Sequence, residues 1–152
     1  MALFNHILVP TDFSDNADAA LTVAARIAEE IQATLSVLTV LPSNALRTAI
    51  KEGKLAPGDD DASIKAKVTA DVEHRLSEFV ARIGGGVRNV TLHHAFGDPS
   101  LEIADFAAAH GIDLVVMGRR GRTLADVMLG SVAERVIRHA SCPVMIVKRS
   151  DG

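Results

Sequence analysis

Short apolar runs alternate with stretches of helical spacing along almost the whole chain, and this alternation restricts the fold more than any other feature. His6-Ile7-Leu8-Val9-Pro10, Thr34 to Val40, Val87 to Ala95, Ile112 to Met117 and Val144-Met145-Ile146-Val147 read as five strands. The second is rich in β-branched residues, and the last is apolar without alternation. Between the first two, Ala17, Ala20, Leu21, Ala24, Ile27, Ala28 and Ile31 recur at helical spacing, with Ser14 in place as a cap. Ile64, Val68, Val72, Leu76, Phe79, Val80 and Ile83 mark a second amphipathic helix, stopped at Gly84-Gly85-Gly86. A third starts with Asp98 as cap and Pro99 at its first position, and ends at His110-Gly111. A fourth covers Val132 to His139 and stops before Ser141-Cys142-Pro143. Strand–helix alternation of this kind predicts an α/β fold: an open, parallel, five-stranded, Rossmann-like sheet with helices on both faces. Leu41 to Asp61, with Pro42, Gly53, Pro57, Gly58 and three consecutive aspartates, reads as a loop containing a short helix near Ala45–Lys51.

A length of 152 residues fits one domain, 1–152, with a substantial core. The formal net charge of −3 argues against a polyanion partner, and the basic residues are scattered apart from Arg119, Arg120 and Arg122. The single cysteine, Cys142, rules out an internal disulfide and fits a reducing compartment. With no signal-peptide pattern and no membrane-spanning run, a cytoplasmic protein is expected, bound to neither membrane nor nucleic acid.

The chemistry concentrates after the fourth strand. Gly118-Arg119-Arg120-Gly121, eight further residues and then Gly130-Ser131 join a buried strand to a helix start. Glycines admit sharp turns and close approach of a ligand to the main chain. The free N–H groups and positive end of a helix then favour an anion, most often phosphate. On residue type alone these glycines serve a tight turn equally well, and Ser131 with Glu134 makes a Ser-x-x-Glu capping box that needs no ligand. In an open α/β sheet ligands bind beyond the carboxyl ends of the strands, which is where Pro10-Thr11-Asp12, Val40 and Met117 fall. Asp12 suits sugar hydroxyls or adenine and equally a helix entry like Asp98, and Val40 and Met117 offer apolar surface to a base, though on residue type alone such residues more often belong to the core. The histidines carry no metal spacing, and His93-His94, adjacent in a strand, point to opposite faces.

Ile7-Leu8-Val9-Pro10-Thr11-Asp12-Phe13-Ser14, Gly97-Asp98-Pro99, Val115 to Val136 and Cys142 to Val147 together resemble the universal stress protein family. In its ATP-binding branch the pattern is Gly, two residues, Gly, nine residues, Gly, then Ser or Thr; here the second gap is one residue shorter. The resemblance implies an adenine nucleotide, ATP, ADP or AMP, with Mg²⁺ arriving on its phosphates. It implies that Pro10, Thr11 and Asp12 flank the adenosine, that Val40 lies against adenine and that Met117 lines the pocket. Gly118, Gly121, Gly130, Ser131 and Val132 would hold ribose and phosphates, with Arg119 and Arg122 as candidates to neutralise phosphate charge. It also implies a homodimer through strand 144–147 and a regulatory role in stress response. Two alternatives stand beside that role. One is a slow Mg-dependent ATP hydrolase, although no GxxxxGK[ST] loop is present. The other is a receiver-type domain phosphorylated on aspartate.

Overall fold

In the computed structural model, residues 3–44, 48, 51–52, 61–82, 87, 89–119 and 129–149 are described. Nine elements follow one another: β1 (His6–Pro10), α1 (Asp15–Ile31), β2 (Thr34–Leu41), α2 (Asp61–Ala81), β3 (Val90–Phe96), α3 (Pro99–Ala109), β4 (Leu114–Gly118), α4 (Ser131–His139) and β5 (Val144–Val147). All strand pairs are parallel, and the sheet order is β3-β2-β1-β4-β5. The direction of winding reverses between β1 and β4, the switch point at which open sheets bind ligands.

The strands read as apolar runs because they are covered on both faces. Ile7 and Val9 of β1, Leu35 and Val37 of β2, and Leu114 and Val116 of β4 pack against α1 and against Val72, Leu76 and Phe79 of α2. Leu8, Leu38, Val115 and Met117 turn to the other face, under Ile103 and Ala107 of α3 and Ala133 and Val136 of α4. Alternate side chains of one strand therefore feed two cores, as a period of two requires.

Polar residues inside these runs have identifiable partners. Asp113, just before β4, accepts from the backbone N–H groups of Asn5 and His6 through its two carboxylate oxygens, at 2.8 and 3.1 Å. Ser36, fully buried in β2, shares hydrogen bonds with His6 Nε2 at 2.6 Å and with Thr91 Oγ1 at 2.7 Å. Thr91 continues to His93 Nε2 at 3.0 Å. The result is a line of side-chain hydrogen bonds crossing β1, β2 and β3 on the α3 face.

Two helix starts follow their sequence signals. Ser14 Oγ caps α1 by accepting from the N–H of Ala17 at 3.3 Å. Asp98 Oδ1 caps α3 by accepting from the N–H of Leu101 at 3.2 Å, with Pro99 at the first helical position. The start of α4 does not follow its signal. The Ser131–Glu134 capping box is absent, because Gly130 rather than Ser131 is the N-cap and makes no side-chain cap bond. The Gly130 carbonyl accepts the first helical N–H, from Glu134, while the Glu134 carboxylate turns to Arg138 at 2.7 Å. β3 likewise begins at Val90 rather than Val87 and extends to Phe96. Of the segment expected to hold a short helix near Ala45–Lys51, only Thr48 and Lys51 are described, with Thr48 N–H donating to the Asn44 carbonyl at 3.0 Å and Glu52 N–H to the Thr48 carbonyl at 2.9 Å.

Candidate functional site

A cavity of about 270 Å³ opens at the carboxyl ends of β1, β2 and β4. Pro10, Thr11, Asp12, Val40, Met117, Gly118, Gly130, Ser131 and Val132, all singled out from the sequence, line it. Leu38, Ser14, Ala17, Pro99, Ile103 and Ala133 complete the wall. Arg119 follows directly after Gly118 but is not part of the lining. Gly121 and Arg122 lie outside the described residues. Apart from Leu38 on β2, the added residues come from the N-terminal ends of three helices, which the sequence placed as caps and core but not as walls.

The first strand's end is held from several sides. Thr11 N–H donates to the Leu38 carbonyl at 2.8 Å, and its own carbonyl accepts from Thr39 Oγ1 at 2.9 Å. Thr11 Oγ1 accepts from the N–H of Phe13 at 2.9 Å, and Asp12 Oδ1 from the N–H of Ser14 at 3.0 Å. These are the local turns that Thr and Asp side chains form with the backbone two residues on. They commit the Thr11 hydroxyl locally and leave Asp12 exposed at the cavity's lip.

Gly118 has a packing reason that the sequence did not reveal. A Cβ built there meets the Asn16 carbonyl oxygen at 2.7 Å and its carbonyl carbon at 2.8 Å. The glycine lets the first turn of α1 pass directly over the end of β4. Beyond it, Arg119 N–H donates to the Val147 carbonyl at 3.2 Å, and the Arg119 carbonyl accepts from Gly130 N–H at 2.8 Å. The two ends of the 119–130 connection are thus tied to each other and to β5.

Three helix N-termini meet the cavity, and they differ electrostatically. Ser14 caps α1. At α3 the hydroxyl of Ser100 and the N–H of Leu101 hold the Asp98 carboxyl below the usual carboxylate range, so a negative charge already occupies that helix end. Arg135 approaches the same carboxylate at 3.9 Å. At α4 the N-cap is Gly130, and no side chain among the described residues caps the end. An arriving anion meets least competition there, where backbone N–H groups and the helix dipole both favour it. Leu38, Val40, Ile103 and Met117 make another part of the lining apolar. A cavity with one apolar wall and one uncapped helix end suits a ligand with a flat apolar part and an anionic tail.

At the far sheet edge lies a second concavity, about 630 Å³, lined by Glu73, Leu76, Ser77, Leu92, His93, His94, Phe106 and His110. Sequence spacing gave no reason to associate these histidines. In the fold, His110 stacks on Phe106 with ring centroids 3.8 Å apart, and His93 meets the same ring at 4.7 Å. Burial lowers the pKa of His93, and the neighbouring His110, His6 and His94 lower it further. Among the described residues no group of three or more potential metal ligands forms. Cys142 is half-buried, and burial, then the Asp113 charge, push its thiol pKa up. Among the described residues no helix is long and apolar enough to cross a membrane.

Fold and cavity together define an α/β protein with a cleft at a parallel-sheet switch point. Residues 3–148 match the model of the universal stress protein family, and the chain belongs to that family. It is 34% identical over 149 residues to universal stress protein YxiE of Bacillus subtilis, covering 96% of this chain and all of that one. Protein MJ0577 of Methanocaldococcus jannaschii superposes with a TM-score of 0.79 at 26% identity, across 99% of both chains. A universal stress protein solved in complex with cAMP superposes with a TM-score of 0.65 at 25% identity, over 97% of this chain and 98% of that one.

The sheet order also corrects the receiver alternative. Receiver-like sheets run 2-1-3-4-5, which sets the third strand beside the first. Here β3 is at the far edge, separated from β1 by β2, and it ends in His94-Ala95-Phe96 rather than in an aspartate.

Proposed function

We propose that this chain is an adenine-nucleotide-binding regulator of stress response, holding ATP, ADP or AMP in the switch-point cavity. The observation that carries this reading is the N-terminus of α4, without a side-chain cap among the described residues, in a cavity whose lining also includes the apolar Leu38, Val40, Ile103 and Met117. Adenine packs between Val40 and Met117, and Asp12 meets the ribose hydroxyls. The phosphates lie along the amides of Ser131 and Val132, at the end of the Gly118–Ser131 segment that includes Gly121, Arg119 and Arg122. Mg²⁺ enters with the phosphates, which supply most of its ligands. A relative crystallised with cAMP supports a nucleotide of this class. Binding regulates only to the extent that the nucleotide prefers one conformation over another.

Thermal unfolding with ATP and with GTP, together with mass analysis of small molecules released on denaturation, tests this. At one hundred times its dissociation constant, ATP adds about 2.7 kcal/mol. That raises Tm by roughly 5–10 °C for a chain of this size. No shift at millimolar ATP and no co-purified adenine nucleotide refutes the reading.

The same proposal includes a homodimer through β5. This strand ends the sheet, with one side unpaired among the described residues, and Met145 is 37% exposed on it. An apolar edge of this kind invites pairing with a second copy. Slow hydrolysis is the second reading. It rests on Asp12, the one carboxylate among the described residues of the lining. Phosphate release unchanged in Asp12→Ala removes it.

A further inference from the structure

We propose that Phe13 is a positioning residue of the nucleotide site, holding its lip in shape from behind and linking it to α2; this rests on the adenine-nucleotide reading above. Phe13 has φ +63°. Among the described non-glycine residues only Gln32 also has positive φ, and Gln32 is the C-cap of α1, where such a conformation is ordinary. Phe13 caps no helix end, and a bulky aromatic adopts this conformation only when its surroundings impose it.

The Phe13 ring lies edge-on to Phe79 at 5.8 Å and 88°, and the Arg75 guanidinium sits 4.4 Å over its face. Edge-to-face and cation–π geometries are both favourable for an aromatic ring. Its N–H is held by Thr11 Oγ1. The neighbours Pro10, Thr11, Asp12 and Ser14 all line the cavity, whereas Phe13 does not; its ring packs on the α1–α2 core. The left-handed turn at Phe13 is what allows this split. Asp12 and Ser14 face the cavity while the residue between them reaches α2, a helix that contributes no described residue to the lining.

Two consequences follow. The path of Thr11–Asp12, and with it the affinity of the site, depends on Phe13 being clamped by α2. By reciprocity, an occupied site steadies α2.

The test measures ATP affinity by calorimetry with Mg²⁺ present, below the unfolding range, in wild type, Phe13→Gly, Phe13→Tyr and Arg75→Met. Hydrogen exchange in α2 is followed with and without ATP. Glycine adopts φ +63° without strain but has no ring. If the lip then keeps its path about one-tenth of the time, Kd rises about tenfold. Tyrosine keeps the ring and stays within about twofold of wild type. ATP slows exchange around Leu76 and Phe79 in wild type, and this effect disappears in Phe13→Gly. A merely structural role would lower Tm and leave both readouts alone, so Phe13→Gly with wild-type Kd and wild-type protection overturns the inference. Should Phe13→Gly fail to fold, Arg75→Met decides on the same two readouts, since Arg75 is exposed. Wild type failing to bind ATP sinks the nucleotide reading and this inference with it; wild-type binding with an unaltered variant sinks this inference alone.

Discussion

Replacing Gly118 by alanine separates a glycine kept for packing from one kept for a ligand. Gly118 closes β4 directly under the first turn of α1, and an added Cβ falls 2.7, 2.8 and 2.9 Å from the carbonyl oxygen, carbonyl carbon and Cβ of Asn16. Ordinary contact starts at 3.4 Å, so α1 or β4 has to shift by several tenths of an ångström. Two of the three atoms are backbone, which no rotamer change can move aside. Overpacking of this kind costs about 1–3 kcal/mol, and the backbone contact puts Gly118→Ala near the top of that range. For 152 residues this lowers Tm by roughly 6–12 °C. Gly111→Ala is the control. At φ +65° with nothing within 4 Å of its Cβ, it meets a dihedral penalty alone, about 1 kcal/mol. Asn16→Gly removes one contact and leaves the carbonyl, so it should not rescue Gly118→Ala. Thermal melts by circular dichroism, with urea titrations beside them, measure all four proteins without any nucleotide. A Gly118→Ala protein as stable as wild type would show the packing argument to be wrong.

Ser14→Ala removes the α1 cap and should cost about 1 kcal/mol in a urea titration; an unchanged midpoint contradicts the cap. The folded chain lowers the pKa of His93, so the unfolded chain binds the proton more readily. Stability should be full above the ordinary value of 6.5 and fall as pH drops through it toward the lowered value. Urea unfolding at stepped pH should show a shallower acid-side decline in His93→Gln, and identical slopes would exclude His93 as a source. Met145→Lys on the exposed edge of β5 should convert a dimer to a monomer in sedimentation equilibrium without lowering α/β content; a persisting dimer would place the interface elsewhere.

Much of this architecture was readable because parallel strands covered on both faces leave unbroken apolar runs, and helices covered on one face leave periodic ones. The cavity walls at Pro10–Asp12, Val40 and Met117–Gly118 followed from where those runs stop, Gly130–Ser131 from the glycine pattern before a helix, and Val132 from the family resemblance alone. What escaped the sequence depends on atoms far apart in the chain. Gly118 is required by the Asn16 backbone, about a hundred positions earlier. His93 on β3 meets His110 beyond the end of α3 only after α3 folds back across the sheet. The Ser131–Glu134 pattern was a sound local signal, overridden because the Glu134 N–H goes to the Gly130 carbonyl and the Glu134 carboxylate to Arg138. The conformation of Phe13 is imposed by α2, and nothing in Thr11-Asp12-Phe13-Ser14 announces it.

The line His6–Ser36–Thr91–His93 bears on how the sheet finds its alignment. Hydrocarbon surfaces slide over one another with little preference, and neighbouring strands built only of valine and leucine tolerate a shifted partner. A slip of one position would turn the Ser36 hydroxyl into the opposite core, stranded among carbon atoms. These few oxygens and nitrogens act as a vernier between three strands, rejecting misaligned pairings that greasy contact alone would accept.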